Sequence, residues 1–173
     1  MLLIWLFLVV LPPNEPELLR QSRELFFNFN QEKCSAEKLF DLLQKSPDDN
    51  AVLMAYKGTA RASSADCTFL PHNKLQRFNQ GKKLLNNAIT LDSANAEIRF
   101  LRLSVQVNAP GFLAYNSNIN EDKQLLLTAL FQNQMIGNDT RFTLQVIAFL
   151  QQNLNLEAKE SEMLKQLTLK LKN

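Results

Sequence analysis

The sequence is poor in several residue types on which common functional sites are built. Its 173 residues include four glycines, two cysteines and one histidine. So few glycines argue against glycine-rich phosphate loops and against turn-dense β folds. Two cysteines without a Cys-x-x-Cys pair cannot by themselves supply the four nitrogen or sulfur ligands of a structural zinc site. A net charge of +2 is too small to indicate nucleic acid or an anionic membrane surface as a partner.

The longest apolar run is also too short to span a membrane. Residues 1–11 read MLLIWLFLVVL before Pro12 and Pro13, whereas a membrane-spanning helix needs about 20 apolar residues. The length matches the apolar core of a secretory signal peptide, although no Lys or Arg precedes it and no small-x-small cleavage motif follows. We therefore expect residues 1–13 to be a signal peptide or a hydrophobic anchor. The protein would then be periplasmic, otherwise exported, or tethered to the membrane; the alternative is a hydrophobic strand or helix packed on the core.

Residues 14–173 predict a single all-α domain of about seven to eight helices. Apolar side chains recur at helical spacing between residues that begin or end helices. An aromatic loop near Pro110, with Phe112 and Tyr115 buried, should separate the fifth helix from the sixth. The expected helix starts are marked by Pro16, Ser35, Asn50, Pro71, Asn118 and Asp139, and residues 92–95 close the fourth helix.

Small residues in the fourth helix predict how it packs. In FNQGKKLLNNAITLDS, Gly81 is followed by Leu85, Ala88 and Ser93, the spacing found in the second helix of a tetratricopeptide repeat. Gly81 and Ala88 would let a neighbouring helix approach closely, and Leu85 would fill the gap between two helices. Gly58 in the third helix should also lie at a close helix contact, because glycine inside a helix costs about 1 kcal/mol. The predicted architecture is a right-handed stack of antiparallel helix hairpins.

Short motifs occur in series through the central part of the chain. They are AYKGTA at residues 55–60, FNQGKKLLNNAI at 78–89, EIRFLR at 97–102, NAPGFLAY at 108–115 and NINEDK at 118–123. Together they resemble a family of small exported tetratricopeptide-like proteins of Bacteroidetes bacteria. The resemblance implies an export signal, a helical-repeat fold and no established activity. The repeat-like helices at Ala36 and Gly81 start 45 residues apart instead of about 34, so a regular superhelical groove with a peptide-carboxylate clamp is not expected.

Polar residues of the fifth helix and of the segment after it form the candidate binding site. One interpretation is a polar pocket that binds an anionic or peptide ligand through arginine side chains. The favoured one is that Arg99 and Arg102 pair with Glu97, Glu121 or Asp122 and tie the loop at Pro110 onto the stack. The candidate residues are Arg99, Arg102, Gln106, Tyr115, Asn118 and Asp122.

The two cysteines form a candidate disulfide. Cys34 precedes the second predicted helix and Cys67 ends the third, and antiparallel packing brings such positions together. In an exported protein the bridge would add about 3–4 kcal/mol of stability; two free thiols are the alternative. His72, beside Pro71, has no candidate nucleophile or orienting group, so we interpret it as a surface loop residue.

These observations favour a non-catalytic interaction module in the cell envelope over an enzyme. The sequence assigns no catalytic residue, metal ligand or cofactor. The expected partner is a protein or peptide, with no nucleic acid, and with membrane contact only through the N-terminal segment. The alternative is a small-ligand-binding or enzymatic protein with a polar site around Arg99, Arg102, Tyr115 and Asp122, which requires a concave pocket there.

Overall fold

The computed structural model describes residues 15–29, 34–47 and 49–172, and these contain eight α-helices and no strand. The prediction of an all-α fold is therefore confirmed. Within the same residues, no helix is both long and apolar enough to cross a membrane. The predicted signal peptide or anchor, residues 1–13, lies outside the described ranges. The helices are α1 (Glu15–Phe27), α2 (Ser35–Leu43), α3 (Ala51–Ser63), α4 (Pro71–Leu91), α5 (Ala96–Asn108), α6 (Ile119–Phe131), α7 (Thr140–Asn153) and α8 (Ala158–Lys172).

Capping side chains explain where several helices begin. Asn50, Asn95 and Asp139 each accept hydrogen bonds from backbone amides in the first turn of α3, α5 and α7. Pro71 opens α4, where its missing N–H has no intrahelical partner to lose. Asn118 stands at the capping position of α6, but its side chain makes no cap hydrogen bond.

The start of α2 differs from the prediction. Ser35 is the first helical residue instead of the cap, and its hydroxyl donates to the backbone oxygen of Phe29 at 3.0 Å. The capping position belongs to Cys34, whose φ of 61° lies in the left-handed region and whose side chain makes no cap hydrogen bond. The serine thus joins α2 to the segment that follows α1.

Helices α3 and α4 pack closely because glycines face each other. A Cβ atom added to Gly81 would lie 2.5 Å from the carbonyl oxygen of Gly58, and one added to Gly58 would lie 2.9 Å from that of Gly81. The close contact predicted for both glycines is therefore confirmed. Arg61 donates to Gln80 at 2.8 Å, and Arg77 donates to the backbone oxygen of Ser64 at 2.9 Å. Residue numbers thus increase along α3 in the direction in which they decrease along α4, so the two helices are antiparallel.

Aromatic side chains join the first, fifth and seventh helices. The ring of Phe100 in α5 makes edge-to-face contacts with Phe26, Phe142 and Phe149, at centroid distances of 5.7, 5.8 and 5.3 Å. Such geometry adds to the free energy of burial. The phenylalanines of α1, α5 and α7 therefore fill a shared core.

The loop between α5 and α6 is only partly as predicted. Tyr115 is buried, at 5% exposure, but Phe112 is 86% exposed, so the expectation that it is buried is wrong. Phe112 lies in a short 3-10 turn, Gly111–Leu113, that has no buried residue. The sequence shows that the loop holds two aromatic rings, but it does not show which ring turns inward.

Replacing Gly81 tests the close contact of α3 with α4. We expect Gly81→Ala to lower the free energy of unfolding by about 2 kcal/mol. Overpacking destabilises by up to about 3 kcal/mol, whereas the higher helix propensity of alanine stabilises the helix by about 1 kcal/mol. Gly111→Ala is the matched control, since nothing lies within 4 Å of its added Cβ. Denaturant unfolding of both variants measures the difference; equal stabilities would contradict the contact.

Candidate functional site

Arg102 and Asp122 form a buried ion pair between α5 and α6. Arg102 is 6% exposed and Asp122 is fully buried. The Nε atom of Arg102 donates to Oδ2 of Asp122 at 2.7 Å, and Nη2 donates to Oδ1 at 2.5 Å. Two parallel hydrogen bonds between a planar guanidinium and a planar carboxylate form the strongest geometry of such a pair. Since Asp122 lies in the first turn of α6, the pair fixes the end of the preceding loop against α5.

Arg99 extends this ion pair into a cluster. Its Nη1 atom donates to Glu121 at 2.6 Å and to Asp122 at 3.0 Å, and its Nε atom donates to the backbone oxygen of Ser93 at 2.7 Å. The side-chain amide of Asn118 donates to the other carboxylate oxygen of Glu121 at 2.9 Å. The structure thus brings Arg99, Arg102, Asn118 and Asp122 together, and both guanidinium groups bind carboxylates of their own chain.

The charges of this cluster balance. Burial, the largest single effect, would lower the pKa of Arg102, but the hydrogen bond with Asp122 and the negative charges of Asp122 and Glu121 together outweigh it, so the pKa is raised. The hydrogen bond from Arg99 lowers the pKa of Glu121, so this carboxylate stays ionised until the pH falls below its usual range. Two arginines thus face two carboxylates. A cluster of zero net charge exerts little attraction on an anionic ligand.

Tyr115 and Gln106 keep unused hydrogen-bonding capacity beside the cluster. Burial raises the pKa of Tyr115 to about 12, against an opposing effect of the Arg102 charge. Its hydroxyl and both amide atoms of Gln106 are buried without a hydrogen-bond partner in the part of the chain that the structure describes. Nearly all buried polar groups of proteins have such a partner. Of the six predicted site residues, these two are the ones that the ion pairs do not engage.

Glu97 belongs to a different network from the one predicted for it. It was one of three alternative partners of Arg99 and Arg102, and these arginines pair with the other two, Glu121 and Asp122. Arg23 of α1 donates to its two carboxylate oxygens at 2.8 and 2.7 Å, and the hydroxyl of Tyr56 donates to it at 2.7 Å. Arg23 is 74 positions away in sequence, so helical spacing could not have revealed this pair.

Two surface cavities of the described residues lie away from the predicted site. A groove of about 200 Å³ lies between α6 and α8, where Leu130, Met163 and Leu167 contribute to its lining. A second one, of about 130 Å³, lies beside Arg23 and Phe142. Pockets for small ligands commonly measure about 300–1,000 Å³. Both cavities are therefore small for a cofactor or a metabolite.

Cys34 and Cys67 lie side by side as free thiols. Their sulfur atoms and a carboxylate oxygen of Glu37 are all within 4.8 Å of one another. Burial, followed by the neighbouring Cys34 thiol, raises the pKa of Cys67 to about 12. A protonated thiol is a weak nucleophile, so Cys67 lacks the property that a catalytic cysteine needs. Sequence reasoning anticipated the proximity of the two cysteines but missed Glu37, although it lies three residues after Cys34 at the start of a helix.

His72 differs in setting from the prediction. It is an exposed residue, as expected, but it lies in the first turn of α4 and not in a loop. Its helical position follows from Pro71, which favours the first turn of a helix.

Comparison of the chain with protein-family models, with curated proteins and with solved structures finds no match in any of the three. The family resemblance inferred from the sequence motifs therefore stays a prediction.

The burial of Asp122 makes it the member of the cluster on which stability should depend most. We expect Asp122→Asn to lower the free energy of unfolding by about 3–5 kcal/mol, because it leaves two buried arginines without their shared carboxylate. Glu121→Gln is the matched control: its side chain is 54% exposed, and exposed ion pairs contribute less than about 1 kcal/mol. Chemical denaturation of both variants measures this; equal losses would show that burial does not govern the cluster.

Oxidation of the purified protein tests whether the two cysteines can form the predicted disulfide. Because their sulfur atoms already adjoin, we expect a mild oxidant to remove two hydrogen atoms from each chain without making dimers. The oxidised protein should be more stable by about 3–4 kcal/mol. Cys67→Ser should show neither change. Two alkylatable thiols after full oxidation, or a disulfide-linked dimer, would rule out the intramolecular bridge.

Proposed function

We propose that this protein is a non-catalytic helical-repeat module that holds a protein or peptide partner. The proposed contact area, here called the α4–loop surface, consists of Leu75, Asn79 and Lys82 on α4 together with Phe112 on the loop after α5. The observation that carries the proposal is the 86% exposure of Phe112 on a loop that buried residues hold in place. An aromatic side chain on such a loop is a typical binding contact.

The loop is fixed on two sides. Its buried Tyr115 makes an edge-to-face contact with Phe78 of α4 at a centroid distance of 5.6 Å, and the Nζ atom of Lys82 lies 5.1 Å from the Tyr115 ring centre. The ion pair of Asp122 with Arg102 then fixes the start of α6, where the loop ends. A loop held in this way loses little conformational entropy when a partner binds, which favours affinity.

The neighbouring face of α4 continues this surface. Leu75, Phe78 and Lys82 are three and seven residues apart, a spacing that places them along one side of a helix. Leu75 is half exposed, while Phe78 is buried against Tyr115. The exposed leucine of α4 therefore lies one helical turn from the aromatic contact, and the exposed phenylalanine of the loop lies three residues before Tyr115 in sequence.

The charge of α4 indicates the chemistry of the partner. Its 21 residues contain no Asp or Glu. Its cationic residues are Lys74, Arg77, Lys82 and Lys83. Arg77 pairs with Glu37 of α2, whereas Lys74 and Lys83 are exposed. Complementary charge guides partner choice and speeds association. The partner we infer is a segment that combines an apolar side chain with acidic residues.

The packing of the central helices supports a tetratricopeptide-like stack as the scaffold of this module. Helix α3 packs antiparallel to α4 through Gly58 and Gly81, and it also packs against α2 and α5. In such stacks each hairpin contacts its neighbours and presents an extended surface. We propose the cell envelope as the location, on the basis of the apolar run at residues 1–11.

Site-specific cross-linking in native cells tests the proposal. We expect a photoreactive phenylalanine analogue in place of Phe112 to capture one discrete protein, whose cross-linked segment carries Asp or Glu. The matched control places the analogue at Leu169, an exposed apolar residue of α8, and should not capture that protein. Mass spectrometry identifies the captured segment.

Charge reversal then separates specific binding from chance contact. Lys82→Glu should reduce capture through position 112 several-fold, because it opposes the acidic partner. Lys165→Glu, an exposed change on α8, should leave capture unchanged. Equal capture from positions 112 and 169, or capture insensitive to Lys82→Glu, would contradict the proposed surface.

A further inference from the structure

Three side chains that can bind a metal ion converge at one end of α2 and α3. Cys34 and Glu37 are three residues apart at the start of α2, so their side chains can share one side of that helix. Cys67 ends the 3-10 turn Ser64–Cys67, which directly follows α3. One ligand atom of each lies within 4.8 Å of the other two, and all three residues are partly buried.

We propose that Cys34, Glu37 and Cys67 bind one thiophilic divalent cation, with Zn²⁺ as the chemical class that fits best. Around tetrahedral zinc, sulfur and oxygen ligands at about 2.3 and 2.1 Å from the metal lie about 3.6–3.8 Å from each other. The three atoms thus need to approach by at most about 1 Å. Each thiol releases its proton to solvent as its sulfur bonds to the metal.

The donor set suits zinc better than a harder cation. Two sulfur ligands exclude Mg²⁺ and Ca²⁺, which prefer oxygen alone. Cysteine and carboxylate are both established zinc ligands, and three protein ligands leave the fourth position to water. The two cysteines supply only two ligands, and Glu37 supplies a third.

Arg77 holds one of the three proposed ligands, Glu37, in place. Its guanidinium donates to a carboxylate oxygen of Glu37 and, at 2.9 Å, to the backbone oxygen of Ser64. Hydrogen bonds of this kind orient the ligands of protein metal sites. The charge also balances, since two thiolates and one carboxylate carry −3, the ion +2 and Arg77 +1. Cys34 has a left-handed backbone and a side chain that makes no cap hydrogen bond, which fits a residue held for its sulfur atom.

Metal titration of the full-length, reduced and metal-stripped protein tests the site. We expect one Zn²⁺ to bind each chain and to raise the melting temperature. Cd²⁺ should produce an ultraviolet thiolate-to-metal absorption band with the intensity of two sulfur ligands. Glu37→Gln should weaken Zn²⁺ binding by more than about tenfold, because even substitutions of residues that only hydrogen-bond to a metal ligand cause a loss of this size. Glu162→Gln, an exposed change on α8, should bind as the wild type does.

Several outcomes would overturn the site. Absence of Zn²⁺ binding to the reduced wild type would do so, and so would unchanged binding in Glu37→Gln. A Cd²⁺ band with the intensity of a single sulfur ligand would also overturn it. This last measurement uses the wild-type chain and stays decisive even where Glu37→Gln fails to fold. Oxidised protein should bind no Zn²⁺, because the disulfide uses both sulfur atoms.

Discussion

A carboxylate that is completely removed from water places the strongest constraint on this structure. An ionised Asp122 without partners would be very unfavourable, so its burial requires the hydrogen bonds from Arg99 and Arg102. These bonds join the fifth helix to the first turn of the sixth. They restrict the motion of the loop between the two helices at its C-terminal end. The same pairs also neutralise the arginines, which is why holding the loop in place fits the cluster better than binding a ligand.

The loop between α5 and α6 also depends on α4 for its position. Its position follows from the contact of Gly81 with Gly58, since any side chain at either place would push the two helices apart. With α4 held there, Phe78 meets Tyr115, and the loop rests on the helix. Phe112 is left facing solvent on the loop whose Tyr115 contacts this helix, and the helix has no acidic residue. The close contact of α3 with α4 and the buried ion pair of Asp122 thus both hold the loop that carries this exposed ring.

Local signals in the sequence predicted much of the fold, because caps, prolines and small residues act over a few positions. Asn50 and Pro71 begin their helices as expected, and Gly58 and Gly81 were each predicted to lie at a close contact with another helix, which is the contact of α3 with α4. Contacts between distant positions were not accessible. The pair of Arg23 with Glu97 depends on how α1 packs, and the exposure of Phe112 depends on the path of its loop. No pattern of period 3.6 contains that information.

Amide hydrogen exchange in the loop tests most directly the claim that a buried ion pair holds the binding surface in place. The backbone amides of Leu113 and Ala114 donate to carbonyl oxygens within the loop at 2.9 and 3.1 Å. We predict slow exchange of both amides in the wild type. In Asp122→Asn they should exchange much faster, while α3 and α4 stay protected. Fast exchange in the wild type, or rates unchanged by the substitution, would contradict the account.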